Sequence, residues 1–311
     1  MTKIVICGIQ QQAIEIIDYL RSQNIKVTHI VTISYETAVK NKSETTWVSY
    51  EDYAKENDIE IYYAKSYSFK STEDINYFKE QEFDLLLLGG WQRLISQEIL
   101  DTLKFGGIGQ HGSSEFLPKN RGRSPLNWSI ILGKKRLIWN IFFLDSGTDS
   151  GDIIDYQMFD INEYDDCKTL YYKVSTSVKR MYARSIPKIL NGELKSIKQI
   201  GEPTYYNKRT ANDGFIDWSG SVHDINRLIR AVTKPYPGAF ALHEDQKIFI
   251  WKAQVWDTQL DFYYNNQYGE IVEVFDNEFV VKCSEGLLLV TEHEDKNIYL
   301  GKVYAPKPTK D

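Results

Sequence analysis

The stretches "KIVICGI", "DLLLLGG" and "LIWNIFF" are apolar at almost every position, not at alternate ones. A strand that alternates can leave one face in water, but a continuously apolar strand must be covered on both faces. A parallel sheet flanked by helices provides that cover. After the first stretch, Ala13, Ile16, Ile17 and Leu20 recur at the spacing of one helical face. "VTHIVTI" and "IEIYY" read as further strands. The expected fold is therefore α/β, an open and mostly parallel twisted sheet whose reactive crevice lies at the carboxyl ends of its strands.

The first strand-to-helix turn, "KIVICGIQQQAIEII", carries Gly8 alone and no GxGxxG, so it gives no dinucleotide signature. Cys7, Cys167 and Cys283 share no metal-ligand spacing and form no disulfide framework, which fits a reducing cytoplasm. The net charge of -6 supplies no long-range attraction to nucleic acid or to an anionic membrane. The opening residues do not read as a signal peptide, and no stretch reaches the about 18 apolar residues of a membrane span.

Further along, Leu170, Val174, Ser177 and Met181 mark one side of a long helix that Pro187 is expected to end. Turn formers then crowd "GEPTYYNKRTANDG", which reads as a linker. The boundary implied is a first domain over 1–205 and a second over 206–311. In the second, Ser221 and Asp224 open a helix in a capping-box arrangement. "KIFIWKAQVW", "GEIVEVF", "EFVVKC" and "GLLLVTE" then alternate with turns in the manner of a small β-barrel.

Two polar segments interrupt the apolar pattern. In "GIGQHGSSEFLPKNRGRSP", His111 follows an expected strand around 105–108, and Ser124 with Pro125 reads as a helix N-cap followed by proline at the first helical position. Arg121 and Arg123 bracket Gly122; either binds an anionic group such as phosphate or braces the loop. In "LDSGTDSGDII", Asp145, Asp149 and Asp152 lie between apolar segments, where a carboxylate can orient the imidazole of His111, or simply close a turn.

Taken in order, "DLLLLGGWQRLISQEIL", "HGSSEFLPKNRGRSPLNW", "DSGTDSGDII" and "DGFIDWSGSVHDINRLIRAVTKPYPGAF" resemble the folate-dependent formyltransferase family over most of the chain. The resemblance implies an open sheet of formyltransferase type followed by a small OB-like β-barrel. It also implies transfer of a formyl group from 10-formyltetrahydrofolate to a primary amine, with no metal. Carried over by position, the catalytic histidine is His111, its supporting aspartate is Asp149, and the folate would lie near Gly90, Trp91, Arg93, Leu94, Asp145 and Gly147.

One position departs from the family pattern. An asparagine that helps hold the formyl oxygen stands two residues before the family's histidine; here that residue is Gly109. Loss of one such donor costs about 2.7–4 kcal/mol in the transition state. The loop after His111 also carries extra length: either Ser113 or Ser114 supplies the missing hydrogen bond, or the loop simply takes a different local shape.

For the amine, residues 212–311 hold 10 lysines and arginines against 16 acids, which disfavours an extended tRNA backbone. "RAVTKPYPGAF" is more similar to the branch of the family that modifies sugars. The substrate implied is a nucleotide-linked amino deoxysugar, with its diphosphate toward Arg121 or Arg123. Methionyl-tRNA and a silent folate- or sugar-nucleotide-binding protein are the alternatives. No nucleic-acid or membrane partner is expected, and 21 tyrosines with seven tryptophans leave room for a homodimer contact.

Overall fold

A computed structural model describes residues 2–306, except 245, 261, 262 and 264. Its strands are β1 (Ile4–Cys7), β2 (His29–Thr32), β3 (Glu60–Tyr63), β4 (Leu85–Leu88), β5 (Gly107–Ser113), β6 (Arg121–Gly122) and β7 (Arg136–Phe143). They continue as β8 (Ile153–Asp160), β9 (Tyr205–Tyr206), β10 (Ala239–His243), β11 (Gln246–Asp257), β12 (Ile271–Phe275), β13 (Glu278–Cys283) and β14 (Gly286–His293). The chain divides into two compact units. One comprises Met1–Gly122, Ile138–Phe159 and Lys173–Tyr205; the other comprises Arg123–Leu137, Asp160–Tyr172 and Tyr206–Asp311.

The first unit is built on a seven-stranded sheet of order β3-β2-β1-β4-β5-β7-β8. β1 pairs in parallel with β2 and β4, β2 with β3, and β4 with β5, whereas β5 and β7 are antiparallel. β1, β2 and β4 are buried throughout except at Leu88, as their unbroken apolar character requires. β3 stands at an edge and is only partly buried. The helix Gln11–Ser22 turns Ala13, Ile16, Ile17 and Leu20 inward.

Two local readings change. Pro187 lies inside the helix Cys167–Leu190 instead of ending it. The proline removes only its own N–H near the end of the helix, and Asn191 N still donates to Pro187 O at 3.1 Å. On the same helix Leu170, Val174 and Met181 are buried, but Val178, not Ser177, completes the apolar side.

In the second unit, Ser221 Oγ accepts from Asp224 N at 3.1 Å and caps the helix Val222–Val232, which buries Val222, Ile225, Ile229 and Val232. The strands form a five-stranded antiparallel sheet of order β10-β11-β14-β13-β12. Register shifts along β11 at Ile250, Lys252 and Val255 bend this long strand as bulges do.

A buried ion pair anchors the end of this unit. Lys302, 2% exposed, donates from Nζ to both carboxylate oxygens of Asp295 at 2.9 and 2.7 Å and to Asn297 O at 3.0 Å. Tyr304 OH donates to Asp295 Oδ2 at 2.6 Å. Burial pushes the Asp295 carboxyl up, but the bonds from Lys302 and Tyr304 outweigh it and hold the group below its usual range. A carboxylate depressed in the folded state stabilises above its unfolded pKa of about 3.9. That contribution is lost as pH falls through the lower folded value. Lys302→Met strands a buried charge and is expected to cost about 3–5 kcal/mol at neutral pH. Without the lysine, Asp295 takes up its proton more readily in the folded state. The difference between variant and wild type in urea unfolding therefore narrows as pH drops below the carboxylate range.

Candidate active site

β5 continues past its expected end, so His111 lies on a strand and not in the loop after it. The cause is antiparallel pairing with β7, which sets Gly109 opposite Phe142, His111 opposite Asn140 and Gly112 opposite Trp139. The two glycines admit the bulky residues across the ladder. A Cβ on Gly112 would lie 2.4 Å from the Trp139 ring, and one on Gly109 would lie 2.6 Å from Leu144 Cδ2 and 3.0 Å from Phe142 Cε2. Side-chain alternation then puts residues 109, 111 and 113 on one face. Gln110, on the other face, donates to Leu88 O at 3.1 Å and accepts from Trp139 Nε1 at 3.0 Å.

His111 is 6% exposed. Its Nδ1 lies 3.4 Å from Asp149 Oδ2, and its Nε2 lies 3.1 Å from Asn120 O. Both ring nitrogens thus face oxygen acceptors: a doubly protonated ring satisfies both, a neutral ring only one. Asp149 Oδ2 also accepts from Gly122 N at 3.1 Å. The carboxylate therefore ties its own loop to the loop that follows His111.

Asp149 has φ +52°, and its carbonyl accepts from Gln199 Nε2 at 2.9 Å. The same amide nitrogen donates to Gly151 O at 2.8 Å, and Gln199 Oε1 accepts from Arg121 Nη2 at 2.6 Å. Arg121 is buried at 9% exposure, whereas Arg123 is exposed. The guanidinium of Arg121 is therefore joined to the aspartate loop through Gln199.

Ser113 Oγ donates to Lys119 O at 2.9 Å and accepts from Glu115 N at 3.2 Å. Ser114 Oγ accepts from Asn120 Nδ2 at 3.3 Å. Both hydroxyls thus take part in the internal bonding of the longer loop. Ser124 takes a left-handed conformation, φ +57°, and makes no side-chain cap on the helix Pro125–Ile131, contrary to the sequence reading.

The remaining expected residues lie on neighbouring loops. Gly90, Trp91, Arg93 and Leu94 follow β4, the parallel neighbour of β5, so their loop leaves the sheet toward the end that bears His111. Trp91 is buried, stacks on Phe69 at 4.8 Å between centroids, and its Nε1 has no hydrogen-bond partner among the described residues. Arg93 lies over the Tyr67 ring at 4.8 Å and donates to Asn41 Oδ1 at 3.2 Å, while Leu94 is exposed. Asp145 Oδ1 accepts from Gly147 N at 3.0 Å and from Ser150 Oγ at 2.6 Å, which closes the exposed turn before Asp149.

Sequence reasoning missed Asn120, Asn140 and Gln199. Asn140 is fully buried opposite His111; its Nδ2 donates at 3.3 Å to His111 O and to Ile138 O, and its Oδ1 has no partner among the described residues. A polar residue inside the apolar run "LIWNIFF" was the available signal for it. Burial pushes the thiols of Cys167 and Cys283 up to about 12 and that of Cys7 well up, so none is a ready nucleophile. Among the described residues, no three His, Cys, Asp or Glu side chains group as metal ligands. No helix there is long and apolar enough to cross a membrane.

Residues 2–186 match the family described as "Formyl transferase", and residues 208–306 match "Formyl transferase, C-terminal domain". The chain is 34% identical over 198 residues to the bifunctional polymyxin resistance protein ArnA of Wigglesworthia glossinidia brevipalpis. That match covers 63% of this chain and 30% of the relative's length. It is 29% identical over 291 residues to the methionyl-tRNA formyltransferase of Acetivibrio thermocellus, covering 93% of this chain and 91% of the relative. In fold it is similar to an N-formyltransferase from Helicobacter canadensis solved with folinic acid and dTDP-3-aminofucose. The TM-score is 0.67 at 18% identity, over 94% of this chain and all of the other.

The packing at Gly109 predicts the result of restoring the asparagine of the family pattern. Gly109→Asn alone is expected to destabilise the chain by about 1–3 kcal/mol through overpacking. Together with Leu144→Ala, which vacates the space, it should cost less than the sum of the two single changes in a urea double-mutant cycle.

Proposed function

This chain belongs to the formyl transferase family and is a folate-dependent N-formyltransferase, and we propose that the amine it formylates is carried by a nucleotide-linked amino deoxysugar. The reading of the reacting residues rests on one observation: a buried histidine and a carboxylate, 3.4 Å apart, brought together from β5 and from the loop after β7. His111 is the base that takes the proton the amine sheds on bonding to the formyl carbon, and it would return that proton to the folate nitrogen as the bond between that nitrogen and the formyl carbon breaks and tetrahydrofolate leaves. Asp149 Oδ2, 3.4 Å from Nδ1, orients the ring. Nε2, 3.1 Å from the Asn120 carbonyl, is the ring nitrogen not turned to Asp149 and the one that takes the amine's proton.

10-Formyltetrahydrofolate, when bound, supplies the activated formyl group. The loop over residues 89–96 suits a heterocycle, because the buried Trp91 Nε1 is a donor with no acceptor among the described residues. Asp145 and Gly147 shape the turn that precedes Asp149. Two observations support a sugar as acceptor: the excess of acids over bases in residues 212–311, and a structural relative solved with dTDP-3-aminofucose. The near full-length similarity to a methionyl-tRNA formyltransferase favours tRNA as the second reading.

Release of tetrahydrofolate and mass detection of product, measured across nucleotide-linked amino sugars and methionyl-tRNA, separate the two. The expected result is one formylated sugar nucleotide, with turnover lowered about 100-fold or more in His111→Ala and in Asp149→Asn. Formylated methionyl-tRNA, with no sugar turned over, would replace the substrate and leave the chemistry in place.

A further inference from the structure

Residues 187–207 lie between the two matched family modules, yet this connecting stretch is bonded to both loops of the reacting pair. On the aspartate side, Ile197 and Ile153 exchange backbone hydrogen bonds at 2.8 Å each way, and Ser196 Oγ donates to Asp152 Oδ2 at 3.3 Å. On the histidine side, Lys119 Nζ donates to Glu202 O at 2.8 Å. Asn120 N donates to Thr204 Oγ1 at 2.9 Å, and Arg121 N to Thr204 O at 2.8 Å. Between these contacts sits Gln199, bonded to Asp149 O, Gly151 O and the Arg121 guanidinium.

We infer that Gln199 is a positioning residue of the active site, fixing the left-handed turn that aims the Asp149 carboxylate at His111. An aspartate tolerates φ +52° at a small cost, so the precise aim of its carboxylate depends on the bonds that hold the turn. The amide of Gln199 holds it by donating to the carbonyls on both sides of Ser150. It cannot swing away, because its oxygen is taken by Arg121, whose own backbone N–H is fixed to Thr204. The inference takes His111 and Asp149 as the reacting pair, so it deepens the functional reading above.

Three substitutions test it. Gln199→Leu removes the amide, and Gln199→Glu keeps an acceptor for Arg121 but has no N–H to give. Gln199→Asn keeps the amide one methylene short. In the first two, kcat for formyl transfer is expected to fall about 100-fold, as small misplacements of reacting groups do, with KM for the amine little changed. The asparagine variant should fall between them and wild type. A second readout needs no substrate: the 15N resonance of His111 Nδ1, assigned by its loss in His111→Ala, reports the contact with Asp149. It should move in the leucine and glutamate variants toward its position in Asp149→Ala, which removes the contact. Wild-type kcat and wild-type 15N resonances in folded leucine and glutamate variants would overturn the inference. If the leucine variant fails to fold, the glutamate and asparagine variants decide. If no amine is formylated by wild type, the functional reading fails separately, and the nitrogen resonances alone decide the role of Gln199.

Discussion

The antiparallel pairing of β5 with β7 is the constraint on which the rest of the site depends. It stretches β5 past residue 108, so that His111 has a strand's fixed direction. It also delivers the chain, at the end of β7, into the loop that holds Asp149. An imidazole and a carboxylate 38 positions apart in sequence thus become neighbours through a ladder of backbone hydrogen bonds. The cost is paid in glycine: β7 presents Trp139, Phe142 and then Leu144, and β5 has no side chains where these must pass.

The same packing accounts for the departure from the family pattern at residue 109. Leu117, Phe142 and Ile153, with Leu144 beside them, form a small apolar cluster of their own. The space an asparagine side chain would need at 109 is occupied by that cluster's edge. The glycine and the leucine therefore belong to one local solution, and the polar side chains of this face are His111 and Ser113 with Asn140 across the ladder.

Much of the architecture was legible because burial on two faces writes itself into every residue of a strand. "IVIC" and "LLLL" had no other reading, and the inward face of the helix Gln11–Ser22 followed from spacing alone. The strand bearing His111 was harder. Its glycines look like loop residues until the tryptophan and phenylalanine that cross them are known. His111 and Asp149 stood out as candidates because ordered motifs point to them. Gln199 carried no such mark, since its partners Asp149, Gly151 and Arg121 lie 50, 48 and 78 residues away in the chain. Pro187 was misread for a related reason: a proline signals a helix end, but near the last turn it forfeits a single bond and the helix can run past it.

The bonds made by residues 196–204 bear on how chains of this type can be recombined. The two family modules look separable at the gap between them, and a chimaera joined anywhere inside that gap would keep both modules whole on paper. Here, however, the gap holds Gln199, Thr204 and the strand-like bridge at Ile197, all bonded to loops of the first module. Inheritance of the catalytic module as a functioning part therefore requires at least residues 187–204 to travel with it, and the useful seam lies close to the start of the second module.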